Sequence, residues 1–337
     1  MQTICKCVKE EVNSCLYCRS GEGRSYTHAT YASCRPLFVK YTIECRANLE
    51  IAMNSMERLT EYSELEQEPA FHGAVSTYGS DGPGVDASWP ARGEISASSA
   101  CVRYAAASSL VLRDLSFRLP SHTKTGVVGR TGAGKSTLTL ALLRMVPTDS
   151  GQFFIDGIDI NLVRLERLRA ALTIVPQDPA LFKGTVRSNL DMHGTLPDAE
   201  LLATLRRVQL NDMTLEHDVA DTGSNLSVGE RQLLCLARAL LRDTKILIMD
   251  EATANVDSVS DAHIQHVIRH ELHSKTVVTI AHRLRTIIFY DNVMVLDKGS
   301  IKEFAPPPML LADEDSTFYS MCAATGDLEG LREEAAR

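Results

Sequence analysis

Short apolar runs at Thr125–Val128, Leu172–Val175, Ile246–Met249, Val277–Ile280 and Val293–Leu296 alternate with stretches of helical periodicity. That alternation predicts an α/β fold, a largely parallel sheet with helices on both faces. The segments Val102–Leu119 and Gln152–Ile160 alternate apolar and polar residues instead, which predicts a smaller antiparallel β layer beside the parallel core. From Tyr41 to Glu66 the pattern is helical, with Leu49, Ala52, Met53, Met56 and Leu59 recurring every three or four residues between charges. Residues 67–92 hold Pro69, Gly73, Gly79, Gly82-Pro83-Gly84 and Pro90, the composition of a linker. The expected organisation is an atypical cysteine-rich segment at 1–36, a helix in 37–66, a linker at 67–92, one compact domain at 93–325 and a tail at 326–337.

Composition narrows the class. With 337 residues, 44% hydrophobic and 23% charged, the chain can bury one large core or two modest ones. A formal charge of −8 gives no basic footprint, so neither nucleic acid nor an anionic membrane surface is an expected partner. Lys40, Glu44, Arg46 and Glu50 interrupt the most apolar stretch, after Leu37, well short of the ~20 residues a transmembrane helix needs. The N-terminus lacks a secretory pattern, so reduced thiols on the cytosolic side are expected. Six of the nine cysteines fall early, at Cys5, Cys7, Cys15, Cys18, Cys34 and Cys45. Cys15-x-x-Cys18 has no second such pair and only His28 nearby, so a zinc site is not expected.

The most informative feature is Gly129-Arg130-Thr131-Gly132-Ala133-Gly134-Lys135-Ser136-Thr137, between the Thr125 strand candidate and a helix candidate at Leu138–Arg144. Amides of a tight glycine turn at a helix start point at anions, Lys135 supplies a cation for terminal phosphates, and Ser136 offers a hydroxyl to Mg²⁺. The expectation is a nucleoside triphosphate site. A second signal is the strand Ile246–Met249 ending in Asp250-Glu251. Successive strand residues point oppositely, so Asp250 is expected to hold Mg²⁺ through water and Glu251 to orient or deprotonate the attacking water. A third is Leu226-Ser227-Val228-Gly229-Glu230-Arg231-Gln232, which opens a helical run at Leu233–Leu241. A serine hydroxyl and glycine amides at a helix start form another anion site. Because one domain cannot easily wrap a single γ-phosphate with two helix starts, this site is assigned to a nucleotide held by a partner domain. His263, His266, His270 and His273 share a helical face, but no carboxylate or cysteine cluster completes a metal site there.

Together with Gln177 in Val175-Pro-Gln-Asp-Pro-Ala-Leu-Phe182, Asp257, and His282 in Ile280-Ala-His-Arg-Leu284, these motifs in this order resemble ABC-transporter nucleotide-binding domains over about residues 93–325. Met53–Tyr62, Trp89–Ile95, Val127–Lys135 and Phe318–Cys322 are similar to subfamily C, the multidrug resistance-associated type, and to its second nucleotide-binding domain. The resemblance implies a P-loop ATPase core with a small antiparallel β subdomain and a helical subdomain carrying the signature motif. It implies ATP and Mg²⁺ as cofactors, with a membrane-associated exporter whose ATPase faces the cytoplasm. Its partners would be a second ABC nucleotide-binding domain, in cis or as a homodimer, and a transmembrane domain continuing the helix at 37–66.

By the same resemblance Tyr104 would stack on adenine, and Lys135, Ser136 and the Gly129–Thr137 amides would hold the phosphates. Gln177 would join Mg²⁺ and sense the transmembrane partner, and His282 would contact the γ-phosphate. Asp257 would communicate across the dimer, and Ser227 and Gly229 would close over the opposite ATP. By residue type alone Tyr104 also fits a half-buried strand aromatic. The signature departs from the usual Ser-Gly-Gly-Gln. Val228 removes a glycine that can approach phosphate closely, and Glu230 adds a negative charge, so the site it completes should be weakened. The alternative reading is a truncated module that binds nucleotide for regulation, or as a relic, without transport.

Overall fold

The computed structural model describes residues 25–64, 81–82, 84–105, 108–250, 258–281 and 283–335. Two compact units divide the chain, residues 1–69 and 70–337. In the first, helix α1 (Ser25–Ser63) begins well before Tyr41, where the amphipathic pattern begins. Surface pairs Lys40–Glu44 (3.8 Å) and Arg46–Glu50 (3.6 Å), each four residues apart, support its exposed face. No helix among the described residues is long and apolar enough to cross a membrane.

The second unit starts with strands β1 (Ile95–Val102), β2 (Leu112–Leu119) and β3 (Lys124–Gly129), then helix α2 (Lys135–Leu142). Strands β4 (Thr148–Ile155) and β5 (Ile158–Asp159), helix α3 (Leu165–Ala171) and strand β6 (Leu172–Val175) follow. A helical region comes next, built from β7 (Gly184–Thr185), α4 (Val186–Leu190), α5 (Asp198–Arg207), β8 (Asp218–Val219) and α6 (Val228–Leu241). The chain then returns to the sheet through β9 (Ile246–Asp250), α7 (Ser258–His270), β10 (Thr276–Ile280), β11 (Asn292–Asp297) and β12 (Ser300–Ala305). Helices α8 (Pro307–Ala312), α9 (Thr317–Ala323) and α10 (Leu328–Ala335) end the unit.

Six strands form the central sheet in the order β12-β11-β3-β10-β9-β6, all parallel except β12. All five apolar runs of the sequence are strands of this sheet, and they lack alternation because both faces are buried, except at Ile174 on the edge strand β6, which is exposed. In β9, Ile246 and Ile248 face one hydrophobic core while Leu247 and Met249 face the other; Val127 and Val128 of β3 divide the same way. One core joins the sheet to the antiparallel sheet β2-β1-β4-β5 and α2, the other to the helical region and the C-terminal helices.

Further boundaries differ from the sequence pattern. Helix α2 starts at Lys135, directly on the glycine turn, and stops at Leu142 rather than Arg144. Arg144 turns to φ 51°, and its Nη1 donates to the Ile160 (3.1 Å) and Val163 (2.7 Å) carbonyls. Part of the linker-like stretch packs against its own unit: Trp89 is buried, Gly82 N–H bonds the Leu162 carbonyl (2.7 Å), and Asp81 pairs with Arg167 (2.7 Å). The tail folds as α10, with Leu331 in the core.

Candidate functional site

Parallel pairing brings the chemistry to one edge. β3 runs out at Gly129, β9 at Asp250, β10 at Ile280 and β6 at Val175, and the register sets Ile280 beside both Val127 and Asp250, with Val175 beside Met249. The glycine turn, Asp250 and the loop that opens with Pro176-Gln177 therefore leave the same carboxyl edge of the sheet. That edge is where open α/β sheets bind ligands.

The glycine turn is built for close approach. Gly132 (φ 81°) and Gly134 (φ 101°) take left-handed conformations. A Cβ at Gly129 would lie 2.2 Å from the Leu296 carbonyl oxygen of the neighbouring strand, and one at Gly134 would lie 2.6 Å from Leu112 Cδ2. At Gly132 nothing stands within 4 Å, so the turn is open on its outer side. Arg130, Thr131, Gly132 and Ser136 are exposed, whereas Ala133, Gly134, Lys135 and Thr137 are buried. The turn is closed by Ala133 N–H to the Arg130 carbonyl (3.0 Å), and the Ala133 carbonyl is tied to Gly299 N–H (3.1 Å).

Lys135 Nζ lies inside the turn and donates to the carbonyls of Gly129 (2.8 Å) and Arg130 (3.3 Å). A buried ammonium at a helix start, on a turn that is open on its outer side, is the setting that a phosphate chain needs, so these residues fit a nucleotide. Ser136 at the start of α2 and Asp250 at the end of β9 supply hard oxygen ligands suited to Mg²⁺. Tyr104 is 53% exposed, and its hydroxyl is 3.1 Å from Thr137 Oγ1, which puts an open aromatic ring next to the glycine turn. Gln177 is exposed in its loop. Glu251, Asp257 and His282 lie outside the described residues.

Ser227 caps α6 at a distance in sequence from the turn. Its Oγ accepts the Glu230 N–H (3.2 Å), and its own N–H donates to Glu230 Oε2 (2.8 Å), a reciprocal capping box. Gly229 is buried and Val228 half-buried in the first turn. Glu230, noted in the sequence only as an added charge, thus also fixes the start of the helix whose serine and glycine are the expected second anion site.

Other contacts had no signal in the sequence. The Arg238 guanidinium gives Nε to the Asn189 carbonyl, Nη2 to Asn189 Oδ1 and Nη1 to the Ala180 carbonyl, each at 2.6 Å. Burial holds the Arg238 pKa below its ordinary value and pushes the Cys235 thiol up. Arginine, asparagine and cysteine at these spacings match no chemical motif, so only the fold brings them together. The histidine stripe is spread out: His263 is half-buried, the exposed His266 and His270 rings are 4.6 Å apart, and His273 follows the end of α7. Among the described residues no group of three metal-ligating side chains forms.

Residues 112–254 match the ABC transporter family. A pleiotropic ABC efflux transporter of multiple drugs from Candida glabrata is 41% identical over 307 residues, 85% of this chain and 18% of that protein. An ATP-dependent bile acid permease from Saccharomyces cerevisiae is 41% identical over 322 residues, covering 88% of this chain and 19% of its own length. A multidrug resistance protein from Caenorhabditis elegans is 42% identical over 291 residues, 85% of this chain and 19% of that protein. The chain thus spans about a fifth of the length of the curated relatives it matches. Among solved structures, a bacterial Atm1-family ABC exporter with ATP bound superposes with a TM-score of 0.69 at 32% identity, over 82% of this chain and 47% of that one.

Proposed function

We propose that this chain, which carries an ABC transporter ATP-binding domain, binds MgATP on the Gly129–Thr137 turn and hydrolyses it to drive an exporter. The observation that carries the reading is the shared edge. The phosphate turn, Asp250 and the Gln177 loop leave the same carboxyl edge from β3, β9 and β6, with β10 between β3 and β9. In this reading Lys135 transfers its hydrogen bonds from the Gly129 and Arg130 carbonyls to the terminal phosphates, and the turn amides bind the remaining oxygens. Tyr104 stacks on the adenine. Ser136, Gln177 and Asp250 would hold Mg²⁺, which when bound offsets charge developing on the phosphates. Glu251 orients or deprotonates the attacking water, and His282 contacts the γ-phosphate.

Ser227 and Gly229 serve an ATP held by a second nucleotide-binding domain, supplied in cis by a longer protein or by another copy. Val228 and Glu230 make that composite site the weaker one. With Met53–Tyr62, Trp89–Ile95 and Phe318–Cys322, Val228 supports the second nucleotide-binding domain of a subfamily C exporter, with α1 continuing a transmembrane helix, while Glu230 is less usual there. The chain spans about a fifth of the length of these relatives, and in this reading cargo selection belongs to the exporter's transmembrane helices.

The test is MgATP binding and turnover of the purified chain beside Glu251→Gln across a protein concentration series. Turnover rising more than linearly with concentration and vanishing in the variant is the expected result. Fast turnover independent of concentration would overturn the two-domain mechanism. Binding without turnover at any concentration would instead indicate a module that holds nucleotide without working on it.

A further inference from the structure

Within the histidine stripe of α7 one pair is drawn together. His266 and His270 stand about one turn apart, both exposed, with ring centres 4.6 Å apart and ring planes at 46°. Residues four apart share a helix face, so the backbone itself brings the two imidazoles side by side. An ion held by two imidazoles fixes their spacing. With metal–nitrogen bonds of about 2.0–2.1 Å and an angle of about 90–110° at the ion, the two ring centres lie about 4.5–5.2 Å apart. The observed separation falls in that range. Turning a ring about its Cβ–Cγ bond leaves the ring centre almost in place, and that torsion is broad in histidine. A nitrogen of each ring can therefore face one ion without any movement of the helix.

The surroundings leave the pair open. The Arg269 guanidinium stands 4.0 Å from the centre of the Phe289 ring, and Lys124 Nζ donates to the Arg269 carbonyl (2.9 Å), so both nearby cations are already engaged. Glu271 pairs with Arg207 (2.6 Å), and His273 Nδ1 donates to the His270 carbonyl (3.0 Å). Helix α7 ends at His270, and the negative end of a helix dipole favours a cation there. Imidazole suits zinc, nickel and copper ions, whereas magnesium prefers hard oxygen ligands, so the pair does not compete for the Mg²⁺ of a nucleotide site. Among the described residues no group of three metal-ligating side chains forms, so the protein supplies two ligands and water the others. Such a site is a chelate of moderate affinity, because the second nitrogen is already in place once the first holds the ion.

We propose that His266 and His270 form a bidentate surface site for a divalent transition-metal ion of the zinc, nickel and copper class. The bound ion links two successive turns at the end of α7. The site is separate from the glycine turn, and the proposal stands whether or not the chain binds ATP.

The test is acylation of histidines by diethyl pyrocarbonate, read residue by residue by mass spectrometry on the full chain made without a histidine tag. Reading each residue separately keeps this site apart from the cysteines near the N-terminus, whose thiolates also take zinc. With Zn²⁺ at about 100 µM, His266 and His270 should both be protected about fivefold or more, while the exposed His193 and His217 change less than about twofold. Mg²⁺ at about 10 mM should protect neither member of the pair. In His266→Ala the protection of His270 should fall below about twofold, and in His270→Ala that of His266, because each nitrogen needs the other. Both substitutions replace exposed side chains, and thermal unfolding checks that the fold is kept; should either variant unfold, the wild-type pattern alone decides. Protection of only one of the two histidines, equal protection of His193 and His217, undiminished protection in the variants, or none up to about 1 mM Zn²⁺ would each overturn the proposal.

Discussion

The two inner glycines of the phosphate turn should respond very differently to the same added methyl group. Gly132 and Gly134 both take left-handed backbone, φ 81° and 101°, so alanine at either stores strain of about 1–3 kcal/mol. At Gly132 the new Cβ meets nothing within 4 Å and the strain is the whole cost. At Gly134 the Cβ would stand 2.6 Å from Cδ2 of Leu112, a side chain with 0% exposure and no room to retreat. Overpacking of that kind adds about 1–3 kcal/mol, so Gly134→Ala should cost about 2–6 kcal/mol. For a unit of this size, Gly132→Ala should lower Tm by roughly 2–8 °C and Gly134→Ala by clearly more.

The assay is thermal and urea unfolding of both variants, with Leu112→Ala alone and combined with Gly134→Ala. Removing Leu112 opens a cavity, but it also removes the clash. The double variant should therefore be less destabilised than the sum of the singles, by about 1–3 kcal/mol. Strict additivity, or equal losses for the two glycines, would show that Leu112 does not press on the turn and would refute the reasoning. ATP affinity should fall in both glycine variants, because strained backbone swings the amides away from the phosphates.

Further outcomes follow from two carboxylates. Glu230→Gln keeps an acceptor for the Ser227 N–H but removes a charge that suits the start of α6, so stability should fall by about 0.3–1 kcal/mol. ATP-driven association, measured by light scattering in a Glu251→Gln background, should nonetheless strengthen as repulsion of the incoming phosphate is relieved; weaker association in the variant would contradict this. Glu303 concerns pH. Burial would raise its pKa, but the amides of Thr317 and Phe318 and the Ser316 hydroxyl hold it below the usual 4.5. A lowered folded pKa stabilises above the unfolded value, and that stability is lost as pH falls through the folded one. Glu303→Gln should therefore cost about 1 kcal/mol near neutrality, allowing for solvent screening, and progressively nothing below the 4.5 reference. A difference that persists unchanged down to pH 2 would rule this out.

What the sequence determined by itself was local. Buried parallel strands are apolar on both faces, so Thr125–Val128, Leu172–Val175, Ile246–Met249, Val277–Ile280 and Val293–Leu296 were legible as runs. Lys135, Ser136 and the glycines stood out because phosphate chemistry would need those residues at consecutive positions, and Asp250 because it closes the apolar run Ile246–Met249. Tertiary structure decided what depends on residues far apart in the chain. The sheet order sets Val175 and Asp250 on one edge with Gly129, and only that order puts the Gln177 loop on the same edge as the glycine turn. Leu112 under Gly134, Asn189 between Arg238 and Phe182, and Asp81 on Arg167 obey no spacing rule, since each contact is set by packing. Periodicity records which side of an element is buried, whereas the partner across the interface is chosen by how the layers stack.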